Sequence, residues 1–171
     1  SAVRPHRNRK PSMQDAEATL PAPTLEFAML IRAELAAPVP VGETADGTRT
    51  HIPITGGTVS GPRLTGTLLP GADRLLTRPD GVAFVDALYE IRTDDGALIT
   101  VRNSGPAAPD RDDRLPHTTL RFTAPRGPHD WLNRAAFVGS LRAHLQEGYV
   151  LVRVDRVLCR HRHRSAHTRS P

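Results

Sequence analysis

From Thr24 to Leu158 the chain is built of short runs in which apolar and polar residues alternate, separated by glycine and proline breaks. A period of two is the mark of a strand with one buried face. The first run, Thr24–Leu35, sets Leu25, Phe27, Met29 and Ile31 on one parity and Glu26 and Arg32 on the other; a helix is also compatible with it. Pro38 and Pro40 end it either way, because proline neither continues a helix nor donates to a ladder. After a turn at Asp46-Gly47 a strand is expected through His51, Ile52, Ile54 and Val59, with a bulge or sharp corner at Gly56-Gly57. Gly61-Pro62, Pro70-Gly71 and Pro79-Asp80-Gly81 punctuate further strand-sized pieces at Leu64–Leu69 and around Leu75 and Leu76.

The clearest unit is Val82–Thr93, Asp94-Asp95-Gly96 and Ala97–Asn103. It reads as a hairpin, since Asp-Gly suits the positive φ angles of a type I′ turn. A polar loop is expected from Ser104 to Pro116, then strands at Thr118–Thr123, Asn133–Leu145 and Tyr149–Leu158, with Ala135–Gln146 also open to partial helix. Eight or nine short strands without a long amphipathic helix predict an all-β fold, a barrel or a sandwich. Closing the sheet into a barrel removes its edges and turns alternate side chains into a lumen.

Charge divides the chain into the same parts. Of 23 lysines and arginines, Arg4, Arg7, Arg9 and Lys10 lie in the first ten residues and Arg160, Arg162, Arg164 and Arg169 after Cys159, with no acid beside them. The remaining 15 cations face all 18 acids, so the segment expected to fold carries −3 and the basic character belongs to the tails. Three parts follow: a disordered basic tail over 1–22, a barrel domain over 23–158 and a disordered Arg/His-rich tail over 159–171. Such tails can hold a polyanion loosely, but a dedicated nucleic-acid surface would need basic and aromatic residues on folded structure. Cys159, the single cysteine, cannot form an internal disulfide. No apolar run reaches the ~18 residues of a membrane span, and no secretory h-region is present, so the expected location is the cytoplasm.

Several ordered blocks carry a family resemblance. His51-Ile52-Pro53-Ile54-Thr55-Gly56-Gly57-Thr58, Gly61-Pro62-Arg63-Leu64, Leu69-Pro70-Gly71-Ala72-Asp73, Arg78-Pro79-Asp80-Gly81, Arg92-Thr93-Asp94-Asp95-Gly96-Ala97-Leu98-Ile99, Val101-Arg102-Asn103, Arg121-Phe122 and Trp131-Leu132-Asn133 resemble a bacterial family known only as domain of unknown function 3237. The resemblance covers Thr24–Leu158. It implies a single small antiparallel barrel, calycin-like or allene-oxide-cyclase-like, and no reaction. Thr100, His117-Thr118-Thr119-Leu120 and a short loop after Asn103 depart from the family pattern, so the ligand of this member is expected to differ.

Candidate chemistry comes from polar residues with lumen parity. Asp86 lies between apolar neighbours, where an unpaired carboxylate is costly, and alternation then places Glu90 rather than Tyr89 on its side; a bulge would reverse that choice. Arg102 at the rim could clamp a carboxylate. Asp86, Glu90 and Arg102 are therefore the candidate catalytic residues. Tyr89, Asn103, Arg121, Trp131 and Asn133 are candidate ligand contacts, with Trp131 as a stacking wall and Pro125, Gly127 and Pro128 in a lid-like loop.

No metal site is expected, since His161, His163 and His167 sit in a tail without a second shell. No cofactor is expected either, for no dinucleotide fingerprint, phosphate loop or nucleophile elbow occurs. The leading functional expectation is a small-molecule-binding barrel acting as a cofactor-independent isomerase, cyclase or lyase. The alternative is a non-catalytic module that forms homo-oligomers and uses its basic tails to contact an anionic partner.

Overall fold

The structure, a computed structural model, describes residues 10–107 and 115–159. They fall into a smaller unit, up to Thr24 and from Leu158 on, and a larger one, Leu25–Val157. Of the expected tails over 1–22 and 159–171, residues 1–9 and 160–171, with His161, His163 and His167, lie outside the described residues, as do residues 108–114.

The smaller unit holds one helix, α1 (Met13–Thr19), in a stretch the sequence pattern assigns to an unstructured lead-in. Its start is a capping box: the Ser12 hydroxyl accepts the Asp15 N–H at 3.2 Å, and the Asp15 carboxylate accepts the Ser12 N–H at 3.0 Å. Two otherwise orphaned donors are satisfied at once. The Ser-x-x-Asp spacing is the local cue for this turn of helix, and apolar periodicity does not reveal it.

The larger unit is a closed eight-stranded antiparallel barrel. Ten segments make its wall: β1 (Thr24–Leu35), β2 (Val39–Thr44), β3 (Gly47–Ser60), β4 (Thr65–Leu68), β5 (Gly71–Thr77), β6 (Ala83–Thr93), β7 (Leu98–Pro106), β8 (His117–Thr123), β9 (Phe137–His144) and β10 (Tyr149–Leu158). The long strand β3 explains how ten segments occupy eight places. Along one edge it pairs with β2 through His51 and with β1 from Ile54 on. Along the other edge it pairs with β5 up to Ile54 and with β4 from Gly57 on. Each pair of short segments thus lies end to end, broken where Pro38 and Pro70 interrupt the ladder. The pairing of β1 with β3 closes the wall, and its register slips between Glu34 and Leu35, opposite Thr55 and Gly56. This is the irregularity expected beside Gly56-Gly57. At Gly57 (φ +144°) a Cβ would lie 1.9 Å from the Arg32 carbonyl, so only glycine lets the two strands approach.

The β6–β7 hairpin also forms, but with a three-residue loop. The Thr93 N–H donates to the Ala97 carbonyl and the Gly96 N–H to the Thr93 carbonyl, with Gly96 at φ +91°. One positive-φ glycine suffices in this arrangement, whereas a type I′ turn needs two such residues. β7 runs on to Pro106, past the expected loop start at Ser104. β1 and β9 are strands throughout, and the only helical feature near β9 is a 3-10 turn at Asp130–Arg134.

Alternation supplies the core. Val85, Ala87, Tyr89 and Ile91 of β6, Ile99 and Val101 of β7, Leu120 and Phe122 of β8, and Phe137, Val152 and Val154 of β9 and β10 are buried in one cluster. Each large aliphatic or aromatic side chain so placed contributes roughly 1.5–3 kcal/mol. Met29, Ile31 and Ala33 of β1 join them, while Leu25 and Phe27 of the same parity stay exposed, ahead of Leu30 where the register with β3 begins. Among the described residues no helix is long and apolar enough to cross a membrane.

Candidate functional site

Asp86 and Glu90, expected in the lumen, and Arg102, expected at the rim, lie on the outer face of the barrel. On β6 the buried positions are Val85, Ala87, Tyr89, Ile91 and Thr93, so Phe84, Asp86, Leu88, Glu90 and Arg92 point out. Both parities of this strand carry large apolar residues, which is why alternation alone mis-sets the face. The Asp86 carboxylate accepts from Arg102 Nε at 2.9 Å and Nη2 at 3.2 Å, and from Arg74 Nη2 at 3.4 Å. Two guanidinium groups in reach of water satisfy it without any pocket. Arg121, expected to contact a ligand, is exposed directly opposite Arg102 on β8.

The inward parity instead presents Tyr89 and Asn103, which are among the expected ligand contacts, together with Asp73 and Thr118, which are not. Residues directly opposite in an antiparallel pair share a face. Asp73 of β5 stands opposite Ala87, and Ala87 stands opposite Asn103. Because Ala87 is buried, both polar side chains belong to the inner wall, with only a methyl group between them. Tyr89 follows two residues along β6 and is itself buried. Its side chain uses the space over Gly71, where a Cβ would lie 2.7 Å from Tyr89 Cβ.

The electrostatics single out Asp73. Burial pushes its carboxyl above the ordinary value, and the nearby Asp86 charge adds to this; the Asp86 backbone N–H, donating to Asp73 Oδ1 at 3.0 Å, offsets part of it. Burial likewise pushes the Tyr89 phenol up, so it stays protonated. Asn103 Oδ1 and Thr118 Oγ1 are buried and find no hydrogen-bond partner among the described residues. Unpaired buried polar atoms of this kind are exceptional in folded proteins. The cue for Asp73 is its parity with Leu75 in a short strand, a cue too brief to read before the pairing with Ala87 is known.

Trp131 and Asn133 sit at one end of the barrel, in the loop joining β8 to β9. The Asn133 side chain accepts the Ala124 N–H at 2.8 Å and donates to the Ala124 carbonyl at 2.9 Å, tying the loop's two ends together. Its role here is architectural. Trp131 packs edge-on to Phe137, with ring centroids 5.9 Å apart, and the Arg63 guanidinium lies 4.1 Å above its ring. The stacking face is thus already covered by Arg63.

At the same end, His129 Nε2 lies 2.8 and 2.9 Å from the two Asp95 oxygens, and the Thr93 hydroxyl donates to Asp95. A carboxylate only accepts, so Nε2 carries the proton. The Thr93 hydroxyl first, and His129 second, hold the Asp95 carboxyl below its ordinary value. This pair borders a cavity of about 280 Å³ with Arg63, Leu64 and Thr65. Among the described residues no three His, Cys, Asp or Glu side chains converge on a point where they could hold a metal ion.

A closed antiparallel barrel, apolar inside except for a few polar groups on its inner wall, is the class of protein these features define. Residues 23–157 match the model of the protein family of unknown function DUF3237, and the chain belongs to that family. It is similar to the UPF0311 protein of Rhodopseudomonas palustris (strain TIE-1), at 33% identity over 153 residues, 80% of this chain and 99% of the relative. Among solved structures, a β-barrel-like protein from Acinetobacter baumannii AYE superposes with a TM-score of 0.72 at 30% identity, covering 81% of this chain and 98% of that one. A hydroalkoxylation enzyme of Penicillium herquei is 31% identical over 87 residues, 51% of this chain and 53% of the relative.

Proposed function

We propose that the barrel binds a small unsaturated molecule against its inner wall and transforms it by acid–base chemistry, with Asp73 as the proton-transfer group. The observation that carries this reading is a carboxyl on the inner wall, raised by burial, one alanine away from an amide oxygen that has no partner among the described residues. Burial raises the Asp73 carboxyl, which makes its conjugate base a stronger proton acceptor than an exposed carboxylate, the direction a general base requires. Asn103 and Thr118 would orient the ligand's hydroxyl groups, and the protonated Tyr89 phenol would donate to a carbonyl or ether oxygen. Asp86, Glu90 and Arg102, on the outer face, make no contact with the ligand in this reading, and Asp86 acts only through its neighbour Asp73.

The Penicillium herquei relative supports an addition or its reverse as the reaction class. When a hydroxyl adds across a carbon–carbon double bond, the oxygen loses its proton as the C–O bond forms, and a proton joins the neighbouring carbon. One carboxylate that takes the first proton and delivers the second ends in its starting state. The proposed activity is that of an isomerase, cyclase or lyase that acts through side-chain proton transfer.

Two measurements test the reading. With ¹³C-labelled aspartate, the Asp73 carboxyl signal should titrate above the ordinary carboxylate value. In parallel, phenols carrying an ortho allyl or prenyl group are incubated with wild type and Asp73→Asn, and cyclic ethers are sought by chromatography. A normal Asp73 titration together with product formation unaffected by Asp73→Asn would overturn the assignment.

A further inference from the structure

A second cavity, of about 170 Å³, opens at the Trp131 end of the barrel, bounded by Phe27, Ala28 and Pro62 on one side and by Arg63, Trp131 and Arg156 on the other, with Glu26 at its edge. We infer that it is a binding site for a small carboxylate with an apolar body, of the size of a one-ring aryl carboxylate.

The argument begins with unmet donors. Trp131 Nε1 and Arg156 Nε are buried, and neither has a hydrogen-bond partner among the described residues. Both groups can only donate, so what completes them must supply acceptor atoms. The guanidinium groups of Arg63 and Arg156 lie 4.1 and 5.9 Å from the Trp131 ring, which brings two positive charges to one indole. Two arginines and an indole among the side chains that line one small space favour an anionic oxygen group, and the planar fork of arginine suits a carboxylate.

The remaining wall decides the rest of the ligand. Phe27, Ala28 and Pro62 offer no polar side-chain atom, so the body of the ligand is apolar. A cavity of ~150 Å³ is known to hold a benzene-sized molecule, which puts a single ring within the available volume. Glu26 is the internal competitor, since its carboxylate borders the same space and opposes a second anion. The site is independent of Asp73 and of the interior chemistry proposed above.

The chain has one tryptophan, so the full-length protein gives a single indole N–H resonance to follow. Sodium benzoate is titrated into ¹⁵N-labelled protein, with neutral benzamide as control. A saturable shift of that resonance is expected with benzoate and not with benzamide. Arg156→Gln should weaken the affinity about tenfold, the scale of one charge-assisted contact, and Glu26→Gln should tighten it. Should Arg156→Gln lose the dispersed spectrum of the folded barrel, Arg63→Gln, on an exposed loop, gives the same readout. An indole signal that stays still with benzoate, shifts alike with benzamide, or shifts with unchanged affinity in the arginine variants would overturn the site.

Discussion

Asp73 and Asn103 stand on either side of Ala87 on the inner wall of the barrel, each directly opposite it across a strand pair. A carboxyl and an amide are thereby set on the same inner face by strands β5 and β7, with a single methyl group between them. Burial of Asp73 disfavours its charged form, and this has a measurable consequence.

In Asp73→Asn the amide oxygen still accepts the Asp86 N–H, but no charge has to be buried. Because the folded carboxyl titrates above its unfolded value, the native state holds the proton more tightly, and wild type loses stability as pH rises through that interval. Denaturant midpoints should therefore coincide for the two proteins at pH 3 and favour Asp73→Asn at pH 8. Equal midpoints at both pH values would show that Asp73 is not desolvated.

Asp95 has the opposite sign. Thr93 and His129 hold its folded carboxyl below the ordinary value, so its contribution is present above the unfolded carboxylate value and fades as pH falls through the lowered one. Asp95→Asn should be less stable than wild type at neutral pH, with the gap closing in strong acid. Thermal melts between pH 2 and pH 7 follow it.

The outer ion pair between Asp86 and Arg102 should matter little. Exposed pairs contribute about 0–1 kcal/mol, so Asp86→Asn and Arg102→Gln should unfold within roughly 1 kcal/mol of wild type and leave interior ligand binding unchanged. Loss of binding in either variant would return these residues to the functional site.

Two glycines separate steric from conformational causes. At Gly71 a Cβ would lie 2.3 Å from the Leu88 carbonyl and 2.7 Å from Tyr89 Cβ, so Gly71→Ala should cost about 1–3 kcal/mol through crowding and displace Tyr89. At Gly81 (φ +84°) no atom lies within 4 Å of the added Cβ, and Gly81→Ala should cost about 1–2 kcal/mol from the left-handed backbone alone. Urea unfolding gives both values. Tyr89 fluorescence or its ring signals should change only in the first.

The fold was legible because its cues are local. A glycine at Gly96 that must take a positive φ, a glycine pair where β3 turns a corner, and alternation of apolar residues within seven to twelve positions each act over a few residues of chain. The helix α1 was missed because its signal is a capping box and its apolar content is low. The site was legible only in part. Tyr89 and Asn103 stand out in the sequence as ligand contacts, but alternation assigns Asp86 and Glu90 to the inner face, because Phe84 and Leu88 on their parity are as apolar as Val85 and Ile91 on the other. A strand's parity says which residues share a face and leaves open which face is inside.

That last decision belongs to the tertiary structure. The amino-acid sequence determined an antiparallel all-β fold with its hairpin and corner, since turn chemistry and a period of two are short-range properties. Only closure of the wall decided that Asp73 meets Asn103 across Ala87, that Asp86 and Arg102 meet in solvent, and that Arg63, Trp131 and Arg156 gather at one end. Burial and desolvation are set by neighbours that lie far apart along the chain, and they take their values only once the strands are in register.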